Sequence, residues 1–421
     1  MPILMERRPR MFWRALLLIG ILTVHPLSMA HADSSSAPKP DIAVFDEVWR
    51  IVDRDFYDPH FNGADWQALR DKYRPQAEAA KDADAQAVVI DRMLAELHAS
   101  HTARYRPTDP AYYQLADIFA GSLRRQLRQI FPDGVQYPGI GIFTKRIDGK
   151  DFVSGIVAGL PADKSGLRVG DEILAVDGKP FEAVNSFNGK TGKQVAITIR
   201  RQAGGPAQEI MLTPVMIKPA QAFLDAMEDG ARIIDAGGKK IGYIRIWSYA
   251  GNRYQDMLEE QLAIGRLKDA DALIWDLRDG WGGAQPRYLD IFDNLGPTMT
   301  LTERDGDSSP VNVKWRKPVA LLINEGSRSG KEVLAYGFKK YRVGEVIGSR
   351  TAGALLAGRA FLLNDDSLLL LAVADVAVDG ERLEGRGVTP TIEIPFSLPY
   401  ADGQDPQLDK AVEILSQGLG G

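Results

Sequence analysis

The sequence predicts a multidomain α+β protein in three parts: a helical N-terminal domain, a small unit of strands and glycine turns, and an α/β core. Three observations predict it. Between residues 41 and 97 apolar residues recur at three and four, the period of an amphipathic helix. From residue 137 to 214 short alternating runs are separated by glycines, the pattern of strands and tight turns. Beyond residue 240 apolar strand runs alternate with helical ones. That order makes an α/β fold, with active loops at the carboxyl ends of its strands.

The elements follow in order. Arg7, Arg8, Arg10 and Arg14 precede an apolar run over residues 15–24, and Ala30-His31-Ala32 supplies a small-x-small cleavage site. Residues 1–32 therefore read as a secretory signal peptide. The run is short for a membrane span, and an uncleaved anchor is the alternative. The mature chain from Asp33 is expected to be secreted, and periplasmic in a Gram-negative cell. Residues 33–117 form the helical domain, with apolar residues recurring at three and four as Val44, Val48, Ile51 and Val52 and then as Val88, Ile90, Met93, Leu94 and Leu97. Residues 118–219 hold a connector, helical over 116–130, and the strand unit, with a short helix near 161–165. Residues 220–421 form the core. Its helices are expected at 220–229, 254–267, 287–295 and 333–341, with one more at the C-terminus. Its strands are expected at 240–247, 272–277, 319–323 and 346–348, with a hairpin of 360–363 and 368–373.

Composition removes several function classes. The 421 residues carry a net charge of -5, which gives no basic surface for nucleic acid. The chain has no cysteine, so a thiol nucleophile, disulfides and thiolate metal sites are excluded. It has five histidines, and His25 and His31 fall in the signal segment. A histidine base must therefore be His60, His98 or His101. His98 and His101 are three apart and could share a helix face as a metal pair, but no His-Glu-x-x-His pattern accompanies them. No metal and no cofactor is expected.

The stretch Asn324-Glu325-Gly326-Ser327-Arg328-Ser329-Gly330-Lys331-Glu332 follows an apolar strand run and precedes a helical one. Ser329 thus sits where a strand turns into a helix, beside the unpaired N–H groups of the first helical turn. That corner suits a nucleophile whose oxyanion needs backbone donors. The plainer reading is a helix cap, with Glu332 completing a capping box. Lys331 is a rival base, but its place on the opening turn aims it away from the hydroxyl.

Two resemblances extend this reading. The run from Gly166 to Gly178, with Tyr137-Pro138-Gly139-Ile140-Gly141-Ile142 before it, resembles a PDZ domain. That resemblance implies that the Gly139, Ile140, Gly141 and Ile142 loop binds the carboxylate of a peptide tail, which adds to the sheet as a strand. Asp276-Leu277-Arg278-Asp279-Gly280-Trp281-Gly282-Gly283, Ser327-Arg328-Ser329-Gly330-Lys331-Glu332 and Gly348-Ser349-Arg350-Thr351-Ala352-Gly353-Ala354 together resemble the C-terminal processing (tail-specific) and tricorn-core serine peptidases. The resemblance implies a crotonase-like α/β core with Ser329 as nucleophile. The processing branch activates its serine with a lysine in a Thr-x-Gly-Lys loop. Here that loop reads Thr351-Ala352-Gly353-Ala354, so the lysine is missing. The tricorn branch uses a Ser-His motif, matched by Ser100-His101, and a late glutamate, matched by Glu384.

The expected chemistry is serine peptidase chemistry. His101 removes the Ser329 proton, Ser100 and Glu384 orient the imidazole, and Gly330 with Gly282 or Gly283 forms the oxyanion hole. The substrate is a protein or peptide with an apolar C-terminus. The alternative is a non-catalytic peptide- or ligand-binding protein on the same fold, which would have no use for His101 and Glu384.

Overall fold

The computed structural model describes residues 40–420 apart from 294–298, 303, 305, 307, 312 and 313. The signal segment expected over residues 1–32 lies outside the described residues. No helix among the described residues is long and apolar enough to cross a membrane.

The first lobe is three helices, Ala43–Asp55, Trp66–Glu78 and Ala83–Ala95. Asp65 and Asp82 cap the second and third by accepting the Ala68 and Ala85 N–H groups, each satisfying a donor that the helix start leaves open. Trp49 and Trp66 each donate an indole N–H to the other's carbonyl, at 3.1 and 3.2 Å. The lobe does not close on itself. Phe45, Val48, Ile90, Met93 and Leu94 pack against Leu363, Leu369 and Leu371, which come from the late hairpin of Ala357–Leu362 and Leu368–Ala374. A short strand that periodicity did not reveal, Ala103–Tyr105, adds to that hairpin, with Ala103 opposite Leu370 and Tyr105 opposite Leu368. The lobe is thereby fixed to the core two residues after His101.

The connector forms two helices, Pro110–Ile118 and Arg124–Ile130, where one was expected over 116–130. The helical rhythm runs on through 119–123, but Gly121 favours a break there. Next comes a six-stranded antiparallel sheet ordered Ile142–Ile147, Lys150–Ile156, Glu172–Val176, Val195–Arg200, Ala207–Leu212, with the short strand Lys179–Pro180 also paired to Glu172–Val176. The short strands Tyr137–Gly139 and Val215–Ile217 pair to close its neck. Residues 161–166 form turns instead of the short helix expected there. Strand Ile142–Ile147 is the sheet's edge.

The core sheet has the order Arg232–Asp235, Lys240–Arg245, Ala272–Asp276, Val319–Ile323, Glu345–Gly348, Ile392–Glu393. Only the first pair is antiparallel. Ala272–Asp276 and Val319–Ile323 are buried at every position, as central parallel strands covered on both faces must be. Leu258, Phe338 and Leu334 cover one face; Ala411 and Leu415 of helix Pro406–Gly418 cover the other. Helix Arg253–Ala263 stops before Gly265. The helix expected over 287–295 is a 3-10 segment, Pro286–Phe292.

Candidate active site

Ser329 is the N-cap of helix Gly330–Lys340, with φ 57° and ψ -131°. A non-glycine residue held at positive φ is uncommon and costs free energy. Several contacts hold it there. Its N–H donates to the Ala354 carbonyl at 2.8 Å, and the Glu332 carboxylate accepts the same N–H at 3.2 Å. Gly282 backs it: a Cβ on Gly282 would lie 2.4 Å from the Ser329 Cβ and 2.9 Å from the Gly330 nitrogen, so only glycine fits. Gly330 supplies the first N–H of the helix, a donor with no intrahelical acceptor. Gly283 instead approaches Tyr249 and Ala250. The pair Ser327 and Ser329 divides clearly. The Ser327 hydroxyl is fully buried and donates to the Leu277 carbonyl at 2.9 Å, so it is tied to the sheet.

Glu332 is fully buried. It accepts from the Thr351 hydroxyl at 2.6 Å, the Gly353 N–H at 2.7 Å and the Ala354 N–H at 2.8 Å. Burial raises its pKa, while these hydrogen bonds pull it down. The sequence showed Glu332 only as a possible cap. Its main work is to bind the Thr351–Ala354 loop, where the processing branch carries its lysine, to the nucleophile corner.

His101 follows the third helix of the lobe and has φ 53°. Its Nδ1 is 3.0 Å from the Ser100 hydroxyl. That hydroxyl donates to Glu384 Oε2 at 2.9 Å, and the Ser100 N–H donates to Glu384 Oε1 at 2.9 Å. These bonds fix the tautomer. A carboxylate only accepts, so the Ser100 proton points to Glu384, and its oxygen must accept from His101 Nδ1–H. The Nε2 lone pair is then left for a proton. Burial, helped by the Arg328 charge, lowers the His101 pKa to about 4 against a smaller opposing pull from Glu384. The imidazole is thus neutral at neutral pH, as a base must be.

Glu384 also accepts the Leu355 N–H at 2.6 Å and the Leu356 N–H at 3.2 Å. Its own loop is laid against the same segment, since Gly385 N–H donates to the Gly353 carbonyl at 2.8 Å and Val388 N–H to the Thr351 hydroxyl at 2.7 Å. The Ser329 corner and Glu384, which holds Ser100 and through it His101, are therefore both tied to the backbone of residues 354–356. His60 and His98 are exposed. His98 and His101 lie beyond the end of the helix, both with positive φ, so they share no helix face. Among the described residues no group of three His, Asp or Glu side chains could hold a metal.

Lys331 is fully buried and aims away from the serine. Its ammonium donates to the carbonyls of Ile246 at 2.7 Å, Asp279 at 2.6 Å and Trp247 at 3.4 Å. Burial lowers its pKa to about 7, yet these acceptors engage all the protons an ammonium has to give. It braces the start of the helix against the core.

A cavity of about 580 Å³ runs from the PDZ-like unit to Arg328, the residue before Ser329, and neither Ser329 nor His101 lines it. Ile142, Phe143 and Phe181 line it on one side, and Tyr105, Trp281 and Arg328 on the other. The Gly139–Ile142 loop meets the cavity at Ile142; Ile140 is buried in the unit's own core. Gly141, at φ +82°, has no room for a side chain, because a Cβ would come within 2.4 Å of the Leu160 Cβ. The unit is docked on the core. Phe143 stacks on Trp247 with centroids 4.6 Å apart, and Lys145 pairs with Glu325 at 3.1 Å. Sequence reasoning did not single out Arg328, Trp281 or Tyr105, whose meeting depends on three separate segments.

Residues 240–394 match peptidase family S41, residues 43–95 the tricorn protease C1 domain, and residues 152–201 a PDZ domain. The putative tricorn protease homolog 2 of Streptomyces coelicolor is 27% identical over 400 residues, 89% of this chain but 32% of that protein. The chain thus spans about a third of that relative's length. The carboxyl-terminal-processing protease of Synechocystis sp. is 26% identical over 442 residues, 99% of this chain and 96% of its own. Among solved structures, the photosystem II D1 C-terminal processing protease gives a TM-score of 0.50 at 23% identity, covering 86% of this chain and 97% of its own. The tricorn protease gives 0.55 at 20% identity, covering 90% and 37%. These two likenesses show the fold.

Proposed function

We propose that this protein, whose residues 240–394 match the peptidase family S41 model, is a serine endopeptidase in which Ser329 attacks the scissile carbonyl and His101 is the base. His101 Nε2 takes the Ser329 proton as the oxygen bonds to the carbonyl carbon. The Gly330 N–H, with Gly282 or Gly283, holds the oxyanion. Collapse of the tetrahedral species breaks the C–N bond, the imidazolium gives its proton to the leaving amine, and water later hydrolyses the acyl-serine. Ser100 and Glu384 keep the imidazole in the tautomer with a free Nε2. One observation carries this reading: the Ser100–His101–Glu384 relay and the Ser329 corner are hydrogen-bonded to the same backbone segment, through Leu355 and Ala354.

The PDZ domain is the proposed grip for the apolar C-terminal tail of a protein or peptide, as its edge strand Ile142–Ile147 borders the cavity that reaches Arg328. This would make the protein a tail-processing enzyme like its Synechocystis relative. Residues 1–32 would send it across the inner membrane to work in the periplasm.

A fluorophosphonate probe tests the assignment. It is expected to label wild type at Ser329 and to leave Ser329→Ala untouched. His101→Ala is expected to slow labelling about a hundredfold to ten-thousandfold. A folded wild type that never labels would instead mean a binding protein. Labelling at full rate in His101→Ala would remove the base.

A further inference from the structure

Arg328, the residue before the nucleophile, takes no part in the chemistry above. Four cations line the cavity: Lys145, Arg245, Arg278 and Arg328. Three have carboxylate partners. Lys145 pairs with Glu325 at 3.1 Å and Arg245 with Asp279 at 2.9 Å, while Arg278 pairs with Asp276 and Asp405 at 2.7 Å each. Among the described residues the Arg328 side chain has no ion pair and no hydrogen bond, and its buried Nε has no acceptor. Its guanidinium carbon lies 5.9 Å from the centre of the Trp281 ring. A ring face attracts the charge but leaves the in-plane N–H fork open, and that fork matches a carboxylate.

We propose that Arg328 forms an anion subsite beside the scissile bond, taking a carboxylate of the peptide substrate, either an Asp or Glu side chain or the chain end itself. This rests on the reading that the cavity holds peptide for Ser329. Two further features support it. Tyr105 and Trp281 wall the same part of the cavity, which limits water around the pair and strengthens it. The Arg328 charge also opposes protonation of His101. A bound carboxylate would offset that charge as the imidazolium forms, so the effect belongs in kcat as well as in KM.

The test uses the full mature chain and quenched-fluorescence peptides. Glu and Gln are exchanged at each position on both sides of the cleaved bond, and each peptide is made as free acid and as C-terminal amide. Wild type is expected to favour the carboxylate about tenfold to a hundredfold in kcat/KM at one place, the scale of a hydrogen bond to a charged group. That ratio should fall to near one in Arg328→Gln and be partly kept in Arg328→Lys. Dependence on Glu over Gln assigns the side chain; dependence on acid over amide assigns the terminus. Equal ratios in wild type and Arg328→Gln, or no preference at any position, overturn the proposal. The same peptide pairs are titrated calorimetrically into Ser329→Ala with and without Arg328→Gln. A carboxylate preference that needs Arg328, in a protein whose wild type cleaves nothing, would keep the subsite and sink the peptidase. Cleavage without preference does the reverse. No cleavage and no such binding overturns both.

Discussion

Glu332 and Glu384 grip adjacent stretches of the same loop, and they do different work. Glu332 takes the N–H groups of Gly353 and Ala354; Glu384 takes those of Leu355 and Leu356. Each then reaches one half of the site. Glu332 takes the Ser329 N–H, and Glu384 takes the N–H and hydroxyl of Ser100. Four consecutive peptide groups therefore lie between the Ser329 corner and the Ser100–His101 pair. The two carboxylates differ in where their hydrogen bonds lead. Those of Glu332 end at backbone and at the Thr351 hydroxyl, so it fixes geometry. Those of Glu384 continue through Ser100 to a titrating ring, so it also fixes a proton. In the proposed mechanism, this loop holds no lysine base and instead sets the spacing between Ser329 and a histidine from another lobe.

That division can be broken by paired amide substitutions. Glu384→Gln keeps the size but can present an amide N–H where the carboxylate accepted. The Ser100 proton then loses its acceptor, and the ring is no longer held in the tautomer with a free Nε2. In Ser-His-Asp proteases the comparable change at the acid costs about ten-thousandfold in kcat. With a hydroxyl interposed, kcat is expected to fall about a hundredfold, or about 2.7 kcal/mol of barrier, with a smaller loss of stability than at Glu332 because Glu384 is only half-buried. Glu332→Gln is expected to show the opposite profile. One of its two acceptor oxygens becomes a donor facing other donors, so folding stability should fall by about 1–3 kcal/mol. The measurement is the urea midpoint at unchanged slope, with a smaller loss in kcat. Should Glu332→Gln cut kcat as deeply as Glu384→Gln at full stability, the two glutamates are not distinct.

Much of the site could be read from the chain because its parts lie in short motifs. Ser329 stands in an apolar-strand-to-helix junction, and Ser100-His101 is one of few places a histidine base could come from once the signal segment is set aside. Glu384 came only from resemblance, since nothing local marks an acid among glycines as a relay. The role of Glu332 was hidden for a different reason. A glutamate at the third position of a helix satisfies a local rule, and its grip on Gly353 and Ala354 exists only after the loop folds back. Ala103–Tyr105 was illegible because a three-residue strand owes its existence to Leu368–Leu370, far away in sequence. Nothing in the sequence marks Arg328; what sets it apart is that, among the described residues, its side chain lacks the partner that its cavity neighbours have.

The smallest expected effect separates the glutamates most cleanly, because it reads charge instead of rate. Lowering of the His101 pKa to about 4 places the acid limb of kcat/KM near pH 4, well below the ordinary imidazole value of about 6.5. The Glu384 charge opposes that lowering. Its removal in Glu384→Gln makes the imidazolium harder to form, so the limb should move to lower pH. The Arg328 charge acts the other way, and Arg328→Gln should move the limb up toward 6.5. Glu332 is not among the charges that move His101, so Glu332→Gln should leave the limb in place even where stability has dropped. The profiles are taken with one uncharged peptide across all variants, so that only the free enzyme's groups titrate. A limb that follows Glu332 and ignores Glu384 would mean that the proton relay runs through the nucleophile helix. His101 would then be a bystander to it.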